Sequence, residues 1–127
     1  MLNEEDKALL RAKNFATLAT LMPDGSPQAS VVWIDVDGDT VIVNSAEGRT
    51  KTENVRRDPR VAISLFDRDD PYRQLMILGR VTEMLWDGAD ESIDALAKKY
   101  LDADSYPGRR ASEQRVILRI TPDRVIR

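Results

Sequence analysis

Between Phe15 and Asn44 the chain reverses direction twice, and these two turns constrain its fold more than any other feature. Pro23-Asp24-Gly25-Ser26-Pro27 separates a β-patterned run, Phe15 to Leu21, from a second, Gln28 to Val36, and Asp37-Gly38-Asp39 separates that run from a third, Thr40 to Asn44. Strands joined by such short turns pair antiparallel, because a parallel pair needs a crossover of a dozen or more residues. Arg60 to Phe66, Arg73 to Trp86 and Gln114 to Arg127, turned at Pro122, read as further strands. Gly79, inside the long run, predicts a bulge or a close backbone approach of the kind that bends a sheet into a barrel.

Helical segments interrupt the strands. Asn3 caps a helix running to about Lys13, with Glu4-Glu5-Asp6 at its start and Arg11 and Lys13 in its last turn, the charge order favoured by the helix dipole. Thr50 to Arg57 reads as a short helix that stops before Asp58-Pro59, since a residue preceding proline avoids the α region. Ile93, Leu96, Ala97, Tyr100 and Leu101 recur at helical spacing behind a cap at Asp87 or Asp90, and Asp102 to Ser112 is irregular. The expected class is mainly β with α, an antiparallel barrel of six to seven strands with two to three helices. At 127 residues, residues 1–127 are expected to form a single domain around one core.

Composition removes whole classes of chemistry. With no histidine and no cysteine, Ser-His and Cys-His nucleophiles, the usual zinc ligands and disulfides are absent. The acidic groups Asp35/Asp37/Asp39, Asp67/Asp69/Asp70 and Asp102/Asp104 fall in turns or a helix exit, where solvated loop acid is the expectation and no metal site is assigned. A net charge of −3 and seven scattered aromatics argue against a nucleic-acid groove. No run approaches the roughly 18 apolar residues of a membrane span, and the acidic N-terminus is unlike a secretory signal, so a cytoplasmic protein without membrane contact is expected.

The chemistry is therefore expected to come from a cofactor. Val41 to Phe66 reads as strand, basic turn, helix and strand, with Arg49, Thr50 and Lys51 crowded at the helix start. Cations are unfavourable there against the helix dipole unless an anion is also present, so the turn reads as a phosphate pocket. A solvated helix start, offset by Glu47, Glu53 and Asp58, is the alternative. On the second strand Gln28, Ser30 and Val32 share one face and Ala29, Val31 and Trp33 the other. Trp86 is expected in the core, and Gln74 opens the long strand.

Three segments carry a resemblance. Arg73-Gln74-Leu75-Met76-Ile77-Leu78-Gly79-Arg80-Val81, Lys51-x-x-Asn54-Val55-x-x-Asp58-Pro59-Arg60 and Asp24-Gly25-Ser26-Pro27-Gln28-x-Ser30 resemble, in the same order, motifs of the pyridoxamine 5′-phosphate oxidase-like family, the FMN-binding split barrels. Tyr106-Pro107-Gly108 and the closing Arg115-Val116-x-Leu118-x-Ile120-x-Pro122 strand are most similar to its actinobacterial branch, which uses the deazaflavin coenzyme F420. True pyridoxamine phosphate oxidases carry a C-terminal Arg- and Trp-bearing segment absent from this sequence, so vitamin B6 oxidation is not expected.

The resemblance implies an F420-dependent oxidoreductase that passes a hydride between reduced deazaflavin and a small, electron-poor unsaturated substrate, in a homodimer with sites at its interface. It implies that Arg49, Thr50 and Lys51 bind the cofactor phosphate and that Asn54 braces their turn. Gln28, Ser30, Val32 and Trp33 would line the ring, Ser45 would lie near the ribityl chain and Gln74 would meet the ring edge. No catalytic residue is assigned, since water can supply the proton. An FMN-binding flavoprotein and a non-catalytic cofactor-binding protein are the alternatives. Arg56, Arg57 and Arg60 are expected to form a basic rim for the acidic tail of F420, and Trp33 with Val31 and Ile34 to exceed what one small barrel buries.

Overall fold

The computed structural model describes all 127 residues, Met1 to Arg127. Seven strands, β1 (Ala16–Leu21), β2 (Pro27–Val32), β3 (Asp35–Asp37), β4 (Thr40–Ala46), β5 (Arg60–Asp67), β6 (Asp70–Leu85) and β7 (Arg115–Ile126), form one sheet. Three helices complete the chain: α1 (Glu4–Arg11), α2 (Thr50–Arg57) and α3 (Ala89–Leu101). The strand order is β2-β1-β5-β6-β7-β4-β3, with every pair antiparallel.

That order forces curvature. β2 and β3 are the two edges, and in a flat seven-stranded sheet they would lie about 29 Å apart. Only Trp33 and Ile34 separate them in sequence, a span of about 11 Å at most. The sheet therefore curls until its edges meet at one corner, giving the split barrel. The core fills its inside with fully buried Leu18, Ile34, Val43, Ile63, Ile77 and Leu118. A smaller cluster on α3, Ile93, Leu96 and Tyr100, packs against Trp33 and Tyr106 outside the barrel.

Gly79 makes the close approach its position predicts. A Cβ there would lie 2.5 Å from the Thr121 carbonyl oxygen and 3.3 Å from the Pro122 Cα. The β6–β7 register shifts between Leu78 and Gly79, opposite Pro122. β7 nevertheless continues through Pro122 rather than breaking. Its pairing with β4 ends at Val41 opposite Ile120, so the missing proline N–H falls where the other neighbour has already stopped.

Four expectations change. The run Gln28 to Val36 is two strands, because the Ile34 N–H leaves the sheet ladder and donates to the Tyr100 hydroxyl at 3.1 Å. That hydroxyl in turn donates to the Asn14 carbonyl at 2.6 Å, and Lys99 Nζ donates to the Ile34 carbonyl. α1 stops at Arg11, short of Lys13, where the buried Asn14 side chain turns back to donate to the Leu9 carbonyl. The residue before α3 is Gly88 in the left-handed region at φ +80°, so Asp90 lies inside the first turn and neither Asp87 nor Asp90 caps. Trp86 lies outside the core, 62% exposed, with its indole N–H donating to Glu47 at 2.8 Å. No helix is long and apolar enough to cross a membrane.

Candidate functional site

The curl leaves a cleft of about 360 Å³ between the barrel corner and α3. Val31, Val32 and Trp33 form one wall, and Ile93, Leu96 and Leu101 the other. The Trp33 indole is held from behind by Tyr100, nearly parallel at 5.3 Å and 7°, and from its edge by Tyr106 at 6.1 Å and 85°. Two aromatic partners leave the indole little rotational freedom.

The other end of the cleft is cationic. Arg49, Lys51 and Arg115 converge there beside Asn44. Arg115 is buried, donating through Nε to Asn44 Oδ1 at 2.9 Å and through Nη1 to Glu113 at 2.6 Å. Glu113 also accepts from Arg49 at 3.3 Å, so one carboxylate serves two guanidiniums. These hydrogen bonds, Arg115 foremost, hold the Glu113 carboxyl below the usual glutamate range. Lys51 has no such partner. It is half-buried, and burial first, then the Arg49 and Arg115 charges, pulls its ammonium below the ordinary lysine range.

The backbone adds to this field. Arg49 is the N-cap of α2 but makes no side-chain cap, and the first intrahelical bond is Glu53 N–H to Arg49 O at 3.1 Å. The amides of Thr50, Lys51 and Thr52 are thus left for an anion. Beneath this turn Thr52 donates to the Ala46 carbonyl at 2.8 Å and accepts from the Ser45 hydroxyl at 2.9 Å, fixing α2 to the end of β4.

Of the residues singled out in the sequence, Val32, Trp33, Arg49 and Lys51 line the cleft together. Ser45 and Asn54 are buried under the α2 turn. Asn54 Nδ2 donates to Thr20 Oγ1 at 3.0 Å, and Thr20 donates to Gln28 Oε1 at 3.0 Å, so Asn54 and Gln28 tie α2 to β1 and β2. Ser30 shares a strand face with Val32, and its Oγ is the one buried side-chain polar atom without a hydrogen-bond partner. Thr50 is exposed at the α2 start, and Gln74 is exposed on the outer face of β6, away from the cleft. Arg115, Asn44 and Tyr106 also line the cleft, and none of them was assigned to a site from the sequence. Arg115 and Tyr106 entered only as members of motifs that carry the resemblance, and Asn44 only as the end of a strand.

The expected basic rim is spent elsewhere. Arg56 pairs with Glu47 at 2.8 Å and Glu53 at 3.0 Å, Arg57 donates to the Leu21 carbonyl and Asn54, and Arg60 pairs with Asp58 at 2.8 Å. None of the three lines the cleft. Their partners come from the chain itself, so they are not free for a ligand. The acidic turns are likewise engaged, Asp37 with Arg119, Asp39 with Lys7 and Asp67 with Arg73.

A curled seven-stranded antiparallel sheet whose two edges meet at a cleft-lining corner defines the split-barrel class. The sequence profile of pyridoxamine 5′-phosphate oxidase matches residues 2–127, and the chain belongs to that family. Among solved structures it is similar to an F420 reductase, at 30% identity over 94% of each chain with a TM-score of 0.83. It is similar to a Listeria innocua protein carrying the oxidase family name, at 26% identity over 99% of this chain and 97% of that one, TM-score 0.72. A conserved hypothetical protein from Mycobacterium tuberculosis shares the fold at 24% identity, over 98% of this chain and 83% of that one, TM-score 0.74.

Proposed function

We propose that this chain is an F420-dependent oxidoreductase that reduces small, electron-poor unsaturated molecules as a homodimer. The observation that carries the reading is Lys51, a half-buried lysine without a counter-ion, set between Arg49 and Arg115 at an uncapped helix start. Such an arrangement is unfavourable when empty and favourable with a phosphate present. The similarity to an F420 reductase supports deazaflavin over FMN. The residues fit the group: cations and free amides at one end and a braced apolar and aromatic wall at the other.

A bound deazaflavin supplies the hydride, and water supplies the accompanying proton. The chain positions and excludes. Lys51, Arg49 and the α2 amides hold the phosphate, Trp33 fixes the plane available to a ring, and α3 keeps water from the apolar side.

The homodimer rests on the outer sheet face. Across β2, β1, β5 and β6 the register aligns Val31, Thr17, Ser64 and Met76, with Ile126 of β7 beside them, and Ala29, Ala19, Ala62 and Leu78 in the next row. The first row carries no charged residue, the second meets Arg124 of β7 beyond Leu78, and Val31, 68% exposed, both begins the first row and lines the cleft. A second copy seated there would close the open side of the cleft and bring Gln74 to the boundary. Sedimentation at micromolar concentration should give one dimeric species, and Met76→Glu should yield monomer, because a stable interface does not accept an unpaired carboxylate at its centre. A wild-type monomer would rule out the shared site.

Protein made in a host lacking F420 should purify colourless, bind added F420 more tightly than FMN, and catalyse reduction of activated alkenes or quinones with reduced F420. Yellow protein with stoichiometric FMN that ignores F420 would show the FMN reading to be correct. Tight F420 binding without turnover would identify a carrier.

A further inference from the structure

We propose that Tyr100, which is not among the residues lining the cleft, is a positioning residue: its hydroxyl locks the barrel seam while its ring sets the plane of Trp33. Its effect on turnover rests on the F420 reading above, whereas its effect on the indole does not. One side chain serves both purposes. The phenol oxygen accepts the Ile34 N–H at 3.1 Å and gives its single proton to the Asn14 carbonyl at 2.6 Å. The ring of the same residue lies nearly parallel to the Trp33 indole with 5.3 Å between centres, and Phe15 is tilted against it at 35°. Seam and cleft wall therefore cannot move independently.

Lys99, the preceding residue, strengthens the grip. Its ammonium donates to the Leu10 carbonyl at 2.8 Å and to the Ile34 carbonyl, and it stands 4.9 Å from the centre of the Tyr100 ring. Together the two side chains hold both polar backbone groups of Ile34 and tie them to the link between α1 and β1. At the other end of α3 the Asn44 side chain donates to the Ala89 carbonyl at 2.8 Å. The helix is thus pinned at two points roughly 17 Å apart along its axis. Between the pins Ile93 and Leu96 face the cleft, and with Tyr100 they form a cluster separate from the barrel core. With that apolar face turned to the cleft rather than into the core, α3 takes its place from the polar pins.

Simple packing leads to a different expectation. Phenylalanine fills the same space and keeps the aromatic stack, so a Tyr100 that only fills would have a hydroxyl dispensable to the cleft. In Tyr100→Phe the buried Ile34 amide and Asn14 carbonyl instead lose their partner, and a buried unpaired amide draws its backbone toward another acceptor or toward water. The residue that shifts is the sequence neighbour of Trp33. Hydride transfer is sensitive to such a shift, because a misplacement of about 1 Å can cost a hundredfold in rate. A phosphate at Lys51 and Arg49 is held by groups the change does not reach.

The test uses a Trp86→Phe background, in which Trp33 is the only tryptophan. Time-resolved fluorescence anisotropy of the ligand-free protein should show Trp33 turning only with the whole molecule. Tyr100→Phe should add a fast local component, and Gly79→Ala, which weakens the fold at the remote β6–β7 ladder, should not. With F420, at a temperature where all variants are folded, Tyr100→Phe should lower kcat roughly tenfold or more and leave the dissociation constants of F420 and inorganic phosphate within about threefold of the background protein. Unchanged kcat in Tyr100→Phe, or an indole that stays immobile, would overturn the inference. So would a fall in kcat that Gly79→Ala reproduces, since the hydroxyl would then contribute stability alone. Should Tyr100→Phe not fold, Lys99→Gln, which offers an uncharged donor in place of the ammonium, takes its place with the same two readouts and the same outcomes deciding. If no form of the protein binds deazaflavin, the F420 reading fails, and the anisotropy alone decides whether Tyr100 sets the indole.

Discussion

Lys51→Ala is expected to weaken cofactor binding roughly tenfold to a hundredfold while leaving the ligand-free protein as stable as before, or slightly more so. The loss corresponds to one charge-assisted phosphate bond, about 1.5 to 3 kcal/mol. The stability half follows from the sign of the lysine's perturbation. Burial and the neighbouring Arg49 and Arg115 charges lower its pKa in the folded state, so near that pKa the native chain binds fewer protons than the unfolded one. The penalty is fully present below the folded pKa, where the lysine is charged in both states, and disappears as pH rises to the ordinary lysine value of 10.5. Removing the ammonium at neutral pH removes the penalty. Anion binding should do the reverse, raising the pKa, so affinity in the wild type should fall as pH rises through the depressed value, and in Lys51→Ala that pH dependence should vanish. Thermal unfolding and fluorescence titration against pH measure both halves. A lowered melting temperature with unchanged affinity would make Lys51 structural.

Gly79→Ala is expected to destabilise the fold by about 1 to 3 kcal/mol, nearer the upper figure. The obstructing atoms, the Thr121 carbonyl oxygen and the Pro122 Cα, are backbone and cannot rotate away. The whole β6–β7 ladder would have to part. At this chain length the loss lowers the melting temperature by roughly 3 to 5 °C per kcal/mol, compared at one protein concentration. An unchanged melting temperature would show that the two strands lie further apart than described.

Features decided by neighbours in sequence were legible before the structure. α2 begins and ends where Arg49-Thr50-Lys51 and Asp58-Pro59 place it, and Gly79 marks the close strand approach. Features decided by distant partners were not. The run from Gln28 to Val36 is apolar enough to read as one strand, and only a hydroxyl 66 residues away breaks it at Ile34. For Arg56 the sequence left two readings, a ligand cation or a charge offset by Glu47 and Glu53; the structure shows it paired with both, and the Glu47 carboxylate is further held by the indole of Trp86, which is remote in sequence. In the site, the basic turn and Trp33 were visible as unusual chemistry in an unusual place. Arg115 was not, since a strand-opening arginine gives no sign of being buried against Asn44 and Glu113.

The short link at Trp33 and Ile34 has a consequence for the order of events in folding. Trp33 belongs both to the seam of the barrel and to a wall of the ligand cleft, while Ile34 is buried in the core beneath it, so a chain with its seam open lacks that part of the wall. A ligand then binds in full only to the closed seam, and at 100 times its dissociation constant it would stabilise that state by about 2.7 kcal/mol. The Ile34 amide, held by Tyr100 and not by a strand neighbour, is the natural reporter of seam opening. Its hydrogen exchange should slow on cofactor binding in proportion to ligand occupancy, so that a single backbone proton would record seam opening and site occupancy together.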